Sequence, residues 1–127
     1  MKEGMKILVA YDGSDHSKRA LSEAIMLAQK FSGSLTLLHC CWIESDQASM
    51  LLLKDVRGQL EAAGIKHEFN SVRTNTPPAS ILLIAEENGY DVIVMGSRGM
   101  GGARALLLGS VSNKVLAEAA VPVLIVK

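Results

Sequence analysis

Five short strand-like runs, with a stretch of helical periodicity in each interval between them, divide this chain from end to end. The runs are Met5–Tyr11 (MKILVAY), Ser34–Cys41 (SLTLLHCC), Lys66–Val72 (KHEFNSV), Asp91–Met95 (DVIVM) and Val121–Val126 (VPVLIV). Four of them are dominated by apolar residues, as strands buried on both faces are. The third alternates polar and apolar, which suits a strand near a sheet edge. In the first interval Ala20, Ala24, Leu27, Ala28 and Phe31 fall on one helical stripe, with Ser14 or Asp15 placed to cap it and Gly33 to stop it. Ala48, Leu52, Val56, Leu60 and Ala63 form a second stripe closed by Gly64. Thr76-Pro77-Pro78 opens a third helix with Ile81, Ile84 and Ala85 inward and Gly89 at its end. Ser110–Ala120 gives a fourth, with Val111, Val115 and Leu116 inward. Strict alternation of this kind predicts an α/β fold: a five-stranded parallel sheet with helices on both faces and right-handed crossovers.

The 127 residues fit one domain over positions 1–127, large enough to bury a proper core. Lys plus Arg and Asp plus Glu number 13 each, so no charge excess points to nucleic acid or an anionic membrane. No apolar run approaches the roughly 18–20 residues of a membrane span. The start holds only about five apolar residues in a row, short of the about 7–15 of a secretory leader. Cys40 and Cys41 are the two cysteines. Neighbours in a strand point to opposite faces, so they do not staple a fold, and His39 beside them does not complete a metal set. The expectation is a cytoplasmic protein with no metal site of its own.

In an open parallel sheet the ligand site lies beyond the carboxyl ends of the strands, where the strand order reverses. The expected order, 3-2-1-4-5, puts that reversal between strands one and four. Strand one ends at Asp12-Gly13-Ser14, and strand four ends at Gly96, where GSRGMGGARALLLGS begins. A glycine-lined loop leading to a helix start offers backbone N–H groups to an anion, with Ser110 placed as cap and ligand contact together. The loop is not a P-loop, since Gly-Lys-Ser/Thr is absent, and it is not a dinucleotide fingerprint, because the third glycine falls on Arg104. Its spacing is Gly96-x2-Gly99-x9-Gly109-Ser110.

That spacing resembles the nucleotide-binding members of the universal stress protein family. ILVAYDGSDHSKRAL is similar to the family's first strand and helix, LTLLHCC to its second strand, and the chain from Tyr90 to Lys127 to its C-terminal third. The resemblance implies an adenine nucleotide, ATP or else ADP or AMP, carried with Mg²⁺. It implies that Asp12 meets the ribose or phosphates, with Ala10 and the bulky Tyr11 lining the cleft beside it. The main chain at Cys40 would meet the adenine edge. Gly96, Gly99, Gly109, Ser110 and Val111 would hold the phosphates, and Arg98 and Arg104 lie in the loop within reach of them. The segment Trp42–Gln47 is shorter than in many members.

The last strand is an apolar sheet edge, which proteins seldom leave unpaired. The resemblance points the same way, to a homodimer through Val121–Val126. Among the histidines, His16 reads as a helix-start residue facing water, His39 as packed at a strand end and His67 as exposed. Met50, Leu51 and Leu53 crowd the second helix beyond its stripe, as extra core or as an oligomer contact. No residue is singled out as catalytic: hydrolysis wants a positioned base and carboxylates to hold a metal, and Asp12 with Asp15 close by is all the cleft offers. The leading expectation is a nucleotide-binding stress or signalling module. A slow ATPase, an enzyme of the nucleotidyl-transfer or ATP-pyrophosphatase type, and a dimeric scaffold without nucleotide are the alternatives.

Overall fold

The computed structural model describes residues 3–41, 46–98 and 108–127. Along them run β1 (Lys6–Ala10), α1 (Asp15–Lys30), β2 (Ser34–Cys41), α2 (Asp46–Ala63), β3 (Lys66–Arg73), α3 (Pro77–Glu87), β4 (Val92–Gly96), α4 (Ser110–Glu118) and β5 (Val123–Val126). The five strands form one sheet in the order β3-β2-β1-β4-β5, with every pairing parallel. The alternation and the order are those expected from the sequence. The strand ends differ by a residue or two. Tyr11 follows β1 but its N–H still bonds the Leu38 carbonyl (2.9 Å), and the Pro122 carbonyl accepts from Ile93 N–H (2.9 Å) just ahead of β5.

Because side chains alternate across a strand, the sheet separates two cores. On one face Ile7, Val9 and Tyr11 of the first strand join Leu35 and Leu37 of β2. They pack against Ala20, Leu21, Ala24 and Ala28 of α1 and Val56 and Leu60 of α2. On the other face Leu8, Leu38, Ile93 and Met95 pack against Ile81 and Ala85 of α3 and Val115 of α4. β3 at one edge alternates half-buried and exposed residues over most of its length, as its polar/apolar sequence demands.

One inward assignment changes, the crowded side chains of α2 are sorted, and one residue expected to be exposed is partly covered. In α4 Leu116 is 47% exposed, while Ser112 is the buried partner of Val115. The hydroxyl of Ser112 explains the exchange, since it donates to the Ser97 carbonyl (2.6 Å). Met50 and Leu51 of α2 point outward, each 65% exposed, whereas Leu53 packs against the core. His67 is half-buried rather than exposed, its ring edge-on to Phe69 and its Nδ1 on the Ile65 carbonyl (2.8 Å).

The helix starts also sort themselves. Ser14 caps α1, its Oγ accepting from Ser17 N–H (3.2 Å). Thr76 holds the N-cap position of α3 without a side-chain cap bond, because its N–H and hydroxyl both engage the Thr74 hydroxyl. The cap of α4 is Gly109, not Ser110, which is the first residue inside the helix.

Candidate functional site

The carboxyl ends of β1 and β4 lie side by side at the reversal of strand order. A cleft of about 280 Å³ opens there on the face that carries α3 and α4. Its floor is Ala10, Leu38 and Cys40, the last side chains of β1 and β2 on that face. Pro77 and Ile81 of α3 form one wall, and Gly96, Arg98, Gly109, Ser110, Val111 and Ser112 form the opposite one. Tyr11, Asp12 and Ser17 complete the lining. Nine of the expected contact residues therefore meet in one place: Ala10, Tyr11, Asp12, Cys40, Gly96, Arg98, Gly109, Ser110 and Val111. Gly99 and Arg104 lie outside the described residues, as do positions 42–45 of the segment after β2.

The turn after β1 aims Asp12. Gly13 has φ of +84°, a left-handed conformation that favours glycine. That turn lets the Asp12 Oδ1 accept from Ser14 N–H at 2.9 Å. The Ser17 hydroxyl donates to the Ser14 carbonyl (3.0 Å) and stands 3.4 Å from Asp12 N–H, so α1's first turn braces the acidic lip. Tyr11 lines the cleft but does not fill it: its side chain belongs to the α1/α2 core and is 4% exposed. Burial, and then the carboxylates of Asp55 and Asp12, push its phenol above the usual value.

The opposite lip is cationic and rich in donors. α4 begins at Gly109 with no side chain closing its first turn, so the N–H groups of Ser110, Val111 and Ser112 face the cleft end of the helix. A helix start carries about half a positive charge, and Arg98 adds a full one. Two glycines serve other ends than direct anion contact. The Gly109 N–H is bonded to the Ser97 carbonyl (2.6 Å). A Cβ on Gly96 would lie 2.6 Å from His16 Cβ and 2.8 Å from the His16 carbonyl carbon. Gly96 is thus the seat on which α1 packs.

Ser97, which the sequence reading did not assign, and two histidines complete the site. Ser97, 1% exposed, donates its N–H to the Val126 carbonyl (2.8 Å), and its carbonyl receives both Gly109 N–H and the Ser112 hydroxyl. His16, expected to face water, is instead held between Ser97 Oγ (3.0 Å from Nδ1) and Arg98 Nη2 (3.2 Å from Nε2). These contacts join residues more than 80 positions apart, so no local pattern announces them. Behind the floor, His39 is packed as expected. Its Nδ1 meets Ser49 Oγ (2.9 Å), which meets Ser71 Oγ (2.9 Å). Burial lowers its pKa, partly opposed by the Asp12 charge.

The donor set fits a phosphate-bearing ligand: an open helix start and a guanidinium on one lip, a carboxylate able to accept from hydroxyls on the other. No cluster of three or more His, Cys, Asp or Glu that could hold a metal ion gathers among the described residues. No helix among those residues is long and apolar enough to cross a membrane.

Fold and site together define an open parallel α/β protein with a polar cleft at the strand-order reversal, the place where such folds take up ligands. The family model described as the universal stress protein family matches residues 5–127, and the chain belongs to that family. It is 37% identical over 133 residues to the Thermus aquaticus universal stress protein in the QAH/OAS sulfhydrylase 3′ region, spanning 95% of this chain and 97% of that one. Among solved structures it is similar to a universal stress protein in complex with cAMP, with 27% identity and a TM-score of 0.80 over 97% of this chain and 96% of that one. It is also similar to the universal stress protein from Archaeoglobus fulgidus in complex with dAMP, with 25% identity and a TM-score of 0.73 over 97% and 98% of the two chains. Adenine nucleotides are therefore ligands of solved members of the family.

Proposed function

We propose that this protein binds ATP, or else ADP or AMP, in the switch-point cleft and acts as a cytoplasmic, nucleotide-sensing stress-response or signalling module of one domain. The observation that carries the reading is the pairing of lips. The start of α4, open to the cleft and flanked by Arg98, shares the cleft with Asp12 over a floor of Ala10, Leu38 and Cys40. The solved relatives bound to cAMP and dAMP support the same site chemistry. In this reading the N–H groups of Ser110 and Val111, with the Ser110 hydroxyl and the loop at Gly99, take the phosphates, while Gly96 and Gly109 shape the backbone on either side of it. Mg²⁺ arrives with them, Asp12 meets the ribose or phosphates, and the base lies over Ala10 and beside the Cys40 main chain. No catalytic residue is assigned. Calorimetric titration with Mg-ATP tests the reading: saturable binding near one per chain supports it, and no heat and no competition by any adenine nucleotide contradicts it.

The module is a homodimer through β5 in this reading, and the edge geometry supports it. The Pro122 and Val126 carbonyls turn toward β4, so the backbone groups of Val123 and Ile125 turn outward from an apolar edge. Ile125→Pro removes an outward N–H and leaves the β4 ladder intact. Sedimentation is expected to show a dimer for the parent chain and a monomer for the variant. A monomeric parent would contradict the assignment.

A further inference from the structure

His16 is half-buried and lies outside the cleft lining, yet one ring nitrogen meets Ser97 behind the cleft wall and the other meets Arg98 in it. A guanidinium has donors and no acceptor, so the contact with Arg98 Nη2 (3.2 Å) makes Nε2 the accepting nitrogen. The ring proton of the neutral imidazole then sits on Nδ1 and is donated to Ser97 Oγ (3.0 Å). His16 and Ser97 are themselves fixed. The backbone of His16 lies on Gly96, where there is no room for a Cβ. Ser97 is tied to β5 through Val126 and to the cap and first turn of α4 through Gly109 and Ser112. The ring is therefore clamped to the frame that sets the start of α4, and it holds the guanidinium at the wall of the cleft.

We propose that His16 is a positioning residue that aims Arg98 at the phosphate chain of the bound nucleotide, and so sets how strongly the cleft prefers a triphosphate over a monophosphate. The inference rests on the nucleotide reading above. An arginine in a loop loses much rotamer freedom when a ligand fixes it, and a partner that fixes it beforehand removes part of that cost. The benefit falls on the charged end of the ligand. In this proposal the adenosine part, over Ala10 and Cys40, binds the same with or without it.

The test is a calorimetric comparison of Mg-ATP and AMP on the full chain and on His16→Ala, His16→Gln, Arg98→Ala and the double variant His16→Ala/Arg98→Ala. His16→Ala is expected to weaken ATP about fivefold, a fraction of the effect of losing a whole charge-assisted contact, and to leave AMP within about twofold. His16→Gln, whose amide oxygen can accept from the guanidinium, is expected to restore much of the preference. In the double variant the loss of His16 should add nothing to the loss of Arg98, because it acts through Arg98. Equal weakening of ATP and AMP in His16→Ala, or additive losses in the double variant, would overturn the proposal while the nucleotide reading stands. A parent chain that binds no adenine nucleotide would overturn both. Ring ¹⁵N shifts in the ligand-free protein supply a readout independent of affinity. A proton on Nδ1 agrees with the assignment, and a proton on Nε2 of a neutral ring contradicts it.

Discussion

The two faces of the sheet end differently at its carboxyl edge. On the α1/α2 face large side chains follow one another as far as Tyr11 and His39: Ile7, Val9 and Tyr11 along the first strand, Leu35, Leu37 and His39 along the second. On the α3/α4 face the same strands run Leu8, Ala10, Asp12 and Thr36, Leu38, Cys40, ending in small or polar groups. One face is a closed core up to its rim. The other stops a layer short and leaves a cleft. The site thus comes from a difference in side-chain volume between alternate residues of the same two strands, with the open start of α4 set above the gap.

This contrast can be broken from either side. The largest effect is expected from the closed face. Tyr11→Ala empties a fully packed position and should cost about 3–5 kcal/mol in denaturant unfolding. Next comes the seat between the faces. Gly96→Ala forces a methyl group against the backbone of His16 and should cost about 1–3 kcal/mol, read from the same unfolding curves. On the open face the effect moves from stability to binding. Cys40→Phe fills the floor where the alternation leaves a small residue. It should keep the thermal midpoint within a few degrees and weaken ATP about tenfold or more, the equivalent of about 1.4 kcal/mol. A Cys40→Phe chain that binds ATP as the parent does would place the base elsewhere.

The smallest effect concerns His39, under the closed face. Its folded-state pKa lies below the ordinary value of about 6.5, so the unfolded chain takes up the proton first. Stability is full above that value and falls as the pH drops below it toward the folded pKa. His39→Gln should flatten this part of the slope between about pH 7 and pH 5 in thermal unfolding. An identical slope in parent and variant would remove His39 as its source.

Much of this was legible in the sequence, and for reasons that are local. Apolar runs of strand length, helical stripes and the serine ahead of α1 each depend on neighbours a few residues away, and they put every element in its place. The sheet order located the reversal, and that brought Asp12 and Gly96 to one cleft. What sequence reasoning missed is non-local. Gly96 was read as a loop glycine, but its missing Cβ is required by His16, 80 positions earlier. Ser110 was read as a cap because serine commonly caps, while Gly109, which carries the cap, has its N–H committed to Ser97. Leu116 was counted inward from its periodicity, but the hydroxyl of Ser112 has a buried carbonyl to satisfy and takes the inward position. Tyr11 lines the cleft as expected, but the pleat turns its ring into the opposite core.

Whether the open face holds an adenine nucleotide is read most directly from the nucleotide content of the purified protein. Chromatography of the supernatant after denaturation, followed by incubation of the stripped chain with Mg-ATP and a second count, gives the number per chain. Adenine nucleotide approaching one per chain is expected, at first or after reloading, with a sharp drop in Cys40→Phe. An empty protein that stays empty on reloading, with the fold intact, would contradict it.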